Sequence, residues 1–283
     1  MAMQLSDKIR ASIALIRKAE ALALKMQPEQ GFYVGFSGGK DSQALLELVK
    51  MSGVRFRAVY NVTTNDPAEN IRFIREYYPD VEFSHVDTSI MRLIEKKGLP
   101  LRNSRWCCSI FKEQHGAGSA VLTGVRWEES RSRAKYTAVE KRGRTKKNGV
   151  VLDLDEMQSN EFRCVGGKDK IMIYPILAWS ATDVWQFLKM RGLPINPCYK
   201  HRMRVGCVFC PFARKSEIER YAASHPKLKE VLLHAIGRNL ERSSGSSKFN
   251  KAIDVYQWWL SNKSVDEFLQ MQRQISIDFE GCS

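Results

Sequence analysis

The sequence predicts an α/β fold, a mostly parallel sheet with helices on both faces, followed by a C-terminal helical region. Three observations carry this. Short apolar strands alternate with helical segments up to about residue 125, a glycine turn joins the first strand to a helix, and nearly every segment after Ser180 has helical spacing.

Residues 5–26 (LSDKIRASIALIRKAEALALKM) combine helical spacing with good helix formers. FYVGF (32–36) reads as a short strand, and a helix runs from Asp41 to Lys50. FRAVYNV (56–62) is the second strand, and residues 67–78 form a helix with proline in its first turn. VEFSHVD (81–87) is the third strand, followed by a helix that stops at Gly98. AVLTGV (120–125) is the fourth strand. Strands that alternate with helices imply right-handed crossovers and parallel pairing. The helical segments after Ser180 place a soft boundary near Cys210, giving an α/β part at 1–210 and a helical extension at 211–283. RSSGSS (242–247) reads as a flexible connection, and no internal repeat is visible.

Composition bounds the chemistry. With 283 residues, 43% hydrophobic and 27% charged, the chain can bury a full core. No run approaches the roughly 18 apolar residues of a membrane span. MAMQLSDKIR lacks a signal core, so a cytoplasmic location is expected, with no membrane partner. Lys plus Arg (45) exceed Asp plus Glu (31) by 14, which favours an anionic partner such as a nucleotide or nucleic acid. Seven cysteines in such a chain point to ligation or catalysis rather than to a disulfide framework.

GFSGGKDS (35–42) stands at the junction of the first strand and its helix, where open α/β sheets bind ligands. Gly38 and Gly39 let backbone N–H groups converge, and the helix adds its positive N-terminal end. Ser37 and Ser42 supply hydroxyls, Lys40 a mobile positive charge, and Asp41 a ligand for magnesium or a helix cap. The alternative is an ordinary glycine turn before a capped helix. GxxxxGK[ST] is absent, so this is not a Walker A loop.

SGGKDS resembles the pyrophosphate-binding loop of the adenine-nucleotide α-hydrolase superfamily, whose members split ATP between its α- and β-phosphates. Within it the chain is most similar to the phosphoadenosine-phosphosulfate reductase family, over roughly residues 30–212. TGVRWEESRSRA (123–134) looks like the family's second nucleotide motif, through Gly124, Arg126, Ser130 and Arg133. Residues 174–199 resemble a third segment through Pro175, Trp179, Asp183, Trp185, Pro194, Asn196, Pro197 and Tyr199. The resemblance implies an adenine-nucleotide α-hydrolase-like fold with ATP and magnesium as cofactors. It also implies catalytic roles for Lys40, Asp41, Arg126 and Arg133, with nucleotide binding by residues 37–42, Gly124, Arg126 and Ser130.

Cys107 and Cys108 are adjacent, and Cys207 and Cys210 form CxxC about a hundred residues later. A four-thiolate zinc site is the simplest reading. Vicinal ligands are awkward for one tetrahedral ion, whereas a four-iron cluster spreads its ligand positions. Free structural thiols are the third reading. The CC…CxxC arrangement resembles the adenylyl-sulfate-reducing branch and the DNA-phosphorothioation protein C branch, both of which carry a 4Fe-4S cluster. Cys164 reads as a buried structural thiol, and Cys198 as either a buried structural thiol or one that enters the cluster pocket or carries a persulfide.

Two departures separate the branches. Reductases usually have an eroded loop, whereas SGGKDS is whole here. They also end in Glu-Cys-Gly-Leu-His, whereas this chain ends FEGCS, with Cys282 penultimate and no histidine after it. Arg126 to Lys147 holds nine Lys or Arg and three Glu, a net of plus six, beside the second nucleotide motif. That run is either a solvated loop or a seat for a nucleic-acid backbone.

The expected activity is therefore adenylylation by ATP followed by Fe–S-dependent sulfur insertion, in which a sulfur nucleophile from the cluster or a cysteine persulfide displaces AMP, with nucleic acid as acceptor and a cysteine desulfurase or thiol carrier as sulfur donor. The alternatives are a thiol-dependent sulfonucleotide reductase and a nucleotide- and Fe–S-binding regulatory module without turnover.

Overall fold

The computed structural model describes residues 3–142, 150–151, 170–243 and 247–280. Cys164, Cys282 and the basic residues Arg144, Lys146 and Lys147 lie outside the described residues.

Among the described residues seven strands form one sheet: β1 (Phe32–Phe36), β2 (Phe56–Asn61), β3 (Glu82–Ser84), β4 (Ala120–Leu122), β5 (Val139–Arg142), β6 (Val150–Val151) and β7 (Lys170–Ile173). Their order is β3-β2-β1-β4-β7-β5-β6. From β3 to β7 all pairings are parallel, and β5 and β6 add an antiparallel edge. The chain steps outward from β1 to β2 to β3 and then returns to the other side of β1 with β4. The order therefore reverses between β1 and β4, and a ligand is expected beyond their carboxyl ends.

The pleat sorts the strand side chains. Phe32, Val34, Phe36, Tyr60, Leu122 and Ile173 join the large apolar core. That core takes in buried residues of α1 (Leu5–Lys18), α2 (Glu20–Met26), α3 (Lys40–Ser52), α4 (Ala68–Tyr77) and α7 (Ala181–Met190). The alternate residues Tyr33, Val59, Val121 and Met172 gather with Tyr174 and Leu177 in a second cluster. The single helix expected over 5–26 is two helices that meet at the fully buried Ala19. Strands β5, β6 and β7 lie in a stretch where no strand was expected. They are two to four residues long, and β5 begins a charged segment, so no clear alternation marks them.

The chain divides into two compact units. The first comprises 1–62, 66–85 and 109–206 and contains the sheet. The second joins 63–65 and 86–108 to 207–283. A single cut near residue 210 therefore does not describe the grouping, because α5 (Ile90–Lys97) and both cysteine pairs belong with the C-terminal helices. In that unit α5 packs against α9 (Pro226–Arg242), which also packs on α8 (Lys215–Ser224) and α10 (Ala252–Ser261). Helix α10 in turn contacts α11 (Val265–Glu280). The Trp259 indole donates to the Pro100 carbonyl at 2.8 Å, and Asn239 Nδ2 donates to the Glu95 carbonyl at 3.2 Å. Helix α5 starts at Ser89, whose hydroxyl accepts from the Arg92 amide, and ends at Gly98 as expected.

Candidate functional site

The loop 37–39 lies at the switch point, between the end of β1 and the first turn of α3. Gly38 has φ +75°, and a Cβ there would meet Asn70 Oδ1 at 2.4 Å, so only glycine fits. Buried amide side chains hold the loop carbonyls. Asn196 Nδ2 donates to the Gly38 carbonyl at 2.9 Å and to Asn70 Oδ1 at 2.7 Å. Gln43 Nε2 donates to the same Gly38 carbonyl at 3.1 Å, and Asn70 Nδ2 donates to the Ser37 carbonyl at 3.2 Å. Gln43 is itself oriented by the Tyr78 hydroxyl, which donates to its Oε1 at 2.9 Å. Gln43, Asn70 and Asn196 are all buried, so these bonds lie away from water.

Ser42 is used within the loop. Its Oγ accepts from the Ser37 amide at 3.1 Å and donates to the Gly39 carbonyl at 2.9 Å. The Lys40 amide at the start of α3 donates to the Tyr199 hydroxyl at 2.8 Å. Burial pushes that phenol above its usual range, so it stays protonated.

The charged side chains converge one turn further on. Asp41 Oδ2 accepts from Lys40 Nζ at 2.7 Å, and Oδ1 accepts from Arg126 Nε at 2.7 Å. Arg126 is 4% exposed. Burial pulls its pKa down, but the Asp41 carboxylate outweighs that and holds it above the ordinary arginine value. Glu128 Oε2 accepts from Arg126 at 2.9 Å and from the Ala181 amide at 2.7 Å, which ties this loop to the start of α7. The chain after β4 approaches α3 at Gly124, where a Cβ would lie 2.7 Å from the Asp41 carbonyl oxygen. Both carboxylate oxygens of Asp41 are engaged by cations. Asp41 is the carboxylate of this cluster that could hold a divalent cation.

The expected residues thus fall into two groups. Ser37, Gly38, Gly39, Lys40, Asp41, Ser42, Gly124 and Arg126 meet at one place. Ser130 and Arg133 sit on the following turn, where Arg133 pairs with Glu129, whose carboxylate also accepts from the Arg126 amide. Sequence reasoning missed Gln43 and Asn70, because buried amides on helices carry no pattern that separates a carbonyl clamp from ordinary core polarity.

The second unit holds all four paired cysteines. Cys107 and Cys108 form the short helix α6 (Trp106–Cys108), and all four are half-buried. A hydrogen bond with Cys108, then burial, then the proximity of Cys108 and Cys207 raise the Cys107 thiol above its usual range. Of the second pair, Cys207 is near enough to act electrostatically on the Cys107 thiol. The turn carrying Cys207 is held by Asn65, whose carbonyl accepts from the Val208 amide at 2.7 Å and whose Oδ1 accepts from Phe209 at 3.4 Å. Thr63 Oγ1 lies 3.4 Å from Cys207 Sγ. Thr63 and Asn65 were not anticipated, since TTN after a strand reads as an ordinary turn. Among the described residues, no three His, Cys, Asp or Glu side chains gather tightly enough to hold one metal ion. The residues that could hold an iron–sulfur group are the four cysteines of the two sequence pairs. Cys198 belongs to the sheet unit, and burial pushes its thiol up to about 12.

The fold and loop define an α/β protein that presents a glycine turn, a helix N-terminus and a Lys–Asp–Arg cluster at the sheet's switch point. Residues 31–213 match the phosphoadenosine phosphosulfate reductase domain, and the chain belongs to that family of enzymes. Over 204 residues it is 28% identical to an uncharacterized protein of Methanocaldococcus jannaschii, covering 68% of this chain and 44% of that protein. Over 218 residues it is 24% identical to the adenosine 5'-phosphosulfate reductase of Allochromatium vinosum, covering 69% and 75%. Among solved structures, the U34-tRNA thiolase NcsA from Methanococcus maripaludis with its 4Fe-4S cluster aligns at TM-score 0.43 and 14% identity. That alignment covers 91% of this chain and 81% of the thiolase. The chain spans less than half the length of the two Methanocaldococcus jannaschii proteins that it matches. No helix among the described residues is long and apolar enough to cross a membrane.

Proposed function

We propose that the chain is an ATP-pyrophosphatase-type enzyme that adenylylates an acceptor and then inserts sulfur, with nucleic acid as the acceptor. One observation carries the reading: the loop is whole, its carbonyls are clamped by buried amides, and Lys40, Asp41 and Arg126 converge at its end. A substrate without a pyrophosphate leaving group has less use for such a cradle.

In this reading the loop and the α3 N-terminus hold the β- and γ-phosphates. Lys40 turns from Asp41 to the leaving pyrophosphate, and Arg126 faces charge that develops at the α-phosphate. Arg133 adds a second guanidinium on the same segment. An acceptor oxygen attacks the α-phosphorus and pyrophosphate leaves. A cysteine desulfurase or thiol carrier supplies the sulfur as a persulfide; a second thiol reduces it, forming a disulfide and releasing hydrosulfide, which attacks the adenylylated centre and displaces AMP together with the acceptor oxygen. Cys107, Cys108, Cys207 and Cys210 would hold a 4Fe-4S cluster, which when bound supplies an iron-held sulfur site.

Pyrophosphate release from ATP tests the reading, and none would be released by a sulfonucleotide reductase or a binding module. The acceptor is tested by salt. Nucleic-acid binding along 135–149 should weaken with salt by a log–log slope of about 0.9 per phosphate contact on duplex DNA. Neutralising Lys141, Arg142, Arg144, Lys146 and Lys147 together should flatten that slope and leave ATP affinity unchanged.

The adenosine 5'-phosphosulfate reductases among the relatives favour a second reading, thiol-dependent reduction of adenylyl sulfate. Sulfite released from adenylyl sulfate by a thiol, with no pyrophosphate from ATP, would select it.

A further inference from the structure

Tyr199 stands at the phosphate loop, and the reading above gives it no role. It belongs to the short 3₁₀ turn Pro197–Lys200, which Asn196 caps by accepting from the Cys198 amide at 2.9 Å. The same Asn196 grips the Gly38 carbonyl, so the turn is pinned to the loop. The Tyr199 ring is set by an edge contact with Trp185, with 5.1 Å between ring centroids. Its hydroxyl lies over Gly39, where a Cβ would stand 3.4 Å from it. A half-buried phenol held at its backbone, its ring and its hydroxyl keeps its place when a ligand arrives.

What the hydroxyl can do follows from the amides around it. The first amides of an α-helix have no partner inside the helix. In α3 the Lys40 amide donates to the Tyr199 oxygen at 2.8 Å, whereas the Asp41 and Ser42 amides find no acceptor among the described residues. The phenol's own proton finds none among them either. Burial keeps that proton in place by pushing the phenol above its usual range. Neighbouring first-turn amides point in nearly the same direction, so a phosphate oxygen that accepts from the Asp41 amide lies beside the phenol oxygen. Two oxygens in contact need a proton between them, and an ionised phosphate brings none. The phenol supplies it. The bond that Tyr199 accepts from the Lys40 amide polarises its O–H and strengthens it as a donor.

We propose that Tyr199 is a phosphate-binding residue of the nucleotide site, whose hydroxyl accepts from the Lys40 amide and donates to an oxygen of the bound phosphates. It adds a neutral, fixed donor beside Lys40 and Arg126, which are charged and held by Asp41. The inference rests on the nucleotide reading of the loop.

The test measures binding of ATP and of inorganic pyrophosphate to the full chain by calorimetry. Tyr199→Phe keeps the ring and its contact with Trp185 but removes the proton. Both ligands should bind this variant about tenfold or more weakly, with melting close to that of the unaltered protein. The sign of the change carries the answer. A phenol that only fills the Lys40 amide until a phosphate displaces it would compete with the ligand, and its removal would tighten binding. Tighter or unchanged binding to folded Tyr199→Phe therefore overturns the proposal. A second substitution, 3-fluorotyrosine at position 199, covers the case in which the Phe variant folds poorly. It keeps the hydroxyl and makes its proton more acidic, hence a stronger donor, so pyrophosphate should bind more tightly at pH 7. Equal or weaker binding there also overturns the proposal. If the unaltered protein binds neither ATP nor pyrophosphate, the nucleotide reading itself fails and the proposal falls with it. Failure of the proposal alone leaves ATP binding by the unaltered protein intact.

Discussion

Asn196 Nδ2 donates to the Gly38 carbonyl across 158 positions of sequence, at 2.9 Å and with Asn196 fully buried. The same nitrogen donates to Asn70, which holds the next carbonyl back. The loop is therefore shaped from outside, by side chains of α4 and of the segment after α7.

Asn196→Ala removes one donor from two buried acceptors. It should destabilise the protein by about 1–3 kcal/mol and weaken ATP binding together, because the released carbonyls can turn into the cradle. Denaturant melting and nucleotide titration check this. A loss of stability with normal ATP affinity would show that the clamp serves only the core.

Gly38→Ala places a Cβ 2.4 Å from Asn70 Oδ1 and forces a side chain into the left-handed region. A cost of about 1–3 kcal/mol is expected from the backbone strain, with further loss from the displaced Asn70. Ala at Gly53, which has an open surrounding and a similar φ of +70°, should show the strain without the loss of nucleotide binding. Comparing the two variants separates conformation from site geometry.

Asp41→Asn leaves Arg126 buried with its main counter-charge gone. Breaking such a pair typically costs about 3–5 kcal/mol, and Glu128 should recover part of it. Arg126→Met removes the charge instead of stranding it and should be less destabilising, while pyrophosphate release is lost in both. Equal destabilisation by the two changes would contradict the view that Asp41 is there to balance Arg126.

Asp183 opens α7, where Ser180 and Asp183 cap each other and Lys8 of α1 bonds the same carboxylate at 2.5 Å. Burial alone would raise the Asp183 pKa, but the bonds from Lys8 and Ser180 outweigh it and hold it below the ordinary carboxylate value. A depressed folded pKa adds stability above the unfolded pKa, which is lost as pH falls through the folded value. Asp183→Ala should therefore cost about 1 kcal/mol at pH 7. The gap should narrow below about pH 4, where the unfolded carboxyl begins to protonate. Urea melting of both proteins from pH 7 to pH 3 measures it.

Anaerobically purified protein should contain about four iron and four sulfide per chain. Single serine substitutions at Cys107, Cys108, Cys207 and Cys210 should abolish that content. Cys198→Ser should keep it, because Cys198 sits in the other unit among buried groups. Stoichiometric zinc in place of iron would move the quartet to the single-ion reading.

Strands β1, β2 and β4 were legible because they bury both pleated faces, and the helices because they bury a stripe, and burial leaves a period in the sequence. Gly38 and Gly124 were singled out in the sequence for other reasons, a turn and a family resemblance, and the fold adds that a Cβ at either would collide with a neighbour. The helical C-terminal segments were readable from spacing alone. Three things required the tertiary structure. The antiparallel strands β5 and β6 depend on pairing with β7 and with each other, and pairing leaves little periodic trace in so short and charged a stretch. The grouping of residues 86–108 with the C-terminal helices depends on α5 meeting α9, two segments far apart in sequence. The roles of Gln43, Asn70, Thr63 and Asn65 depend on which carbonyl, amide or thiol each one faces. Periodicity records how much a residue is buried, and only the folded chain determines what it is buried against.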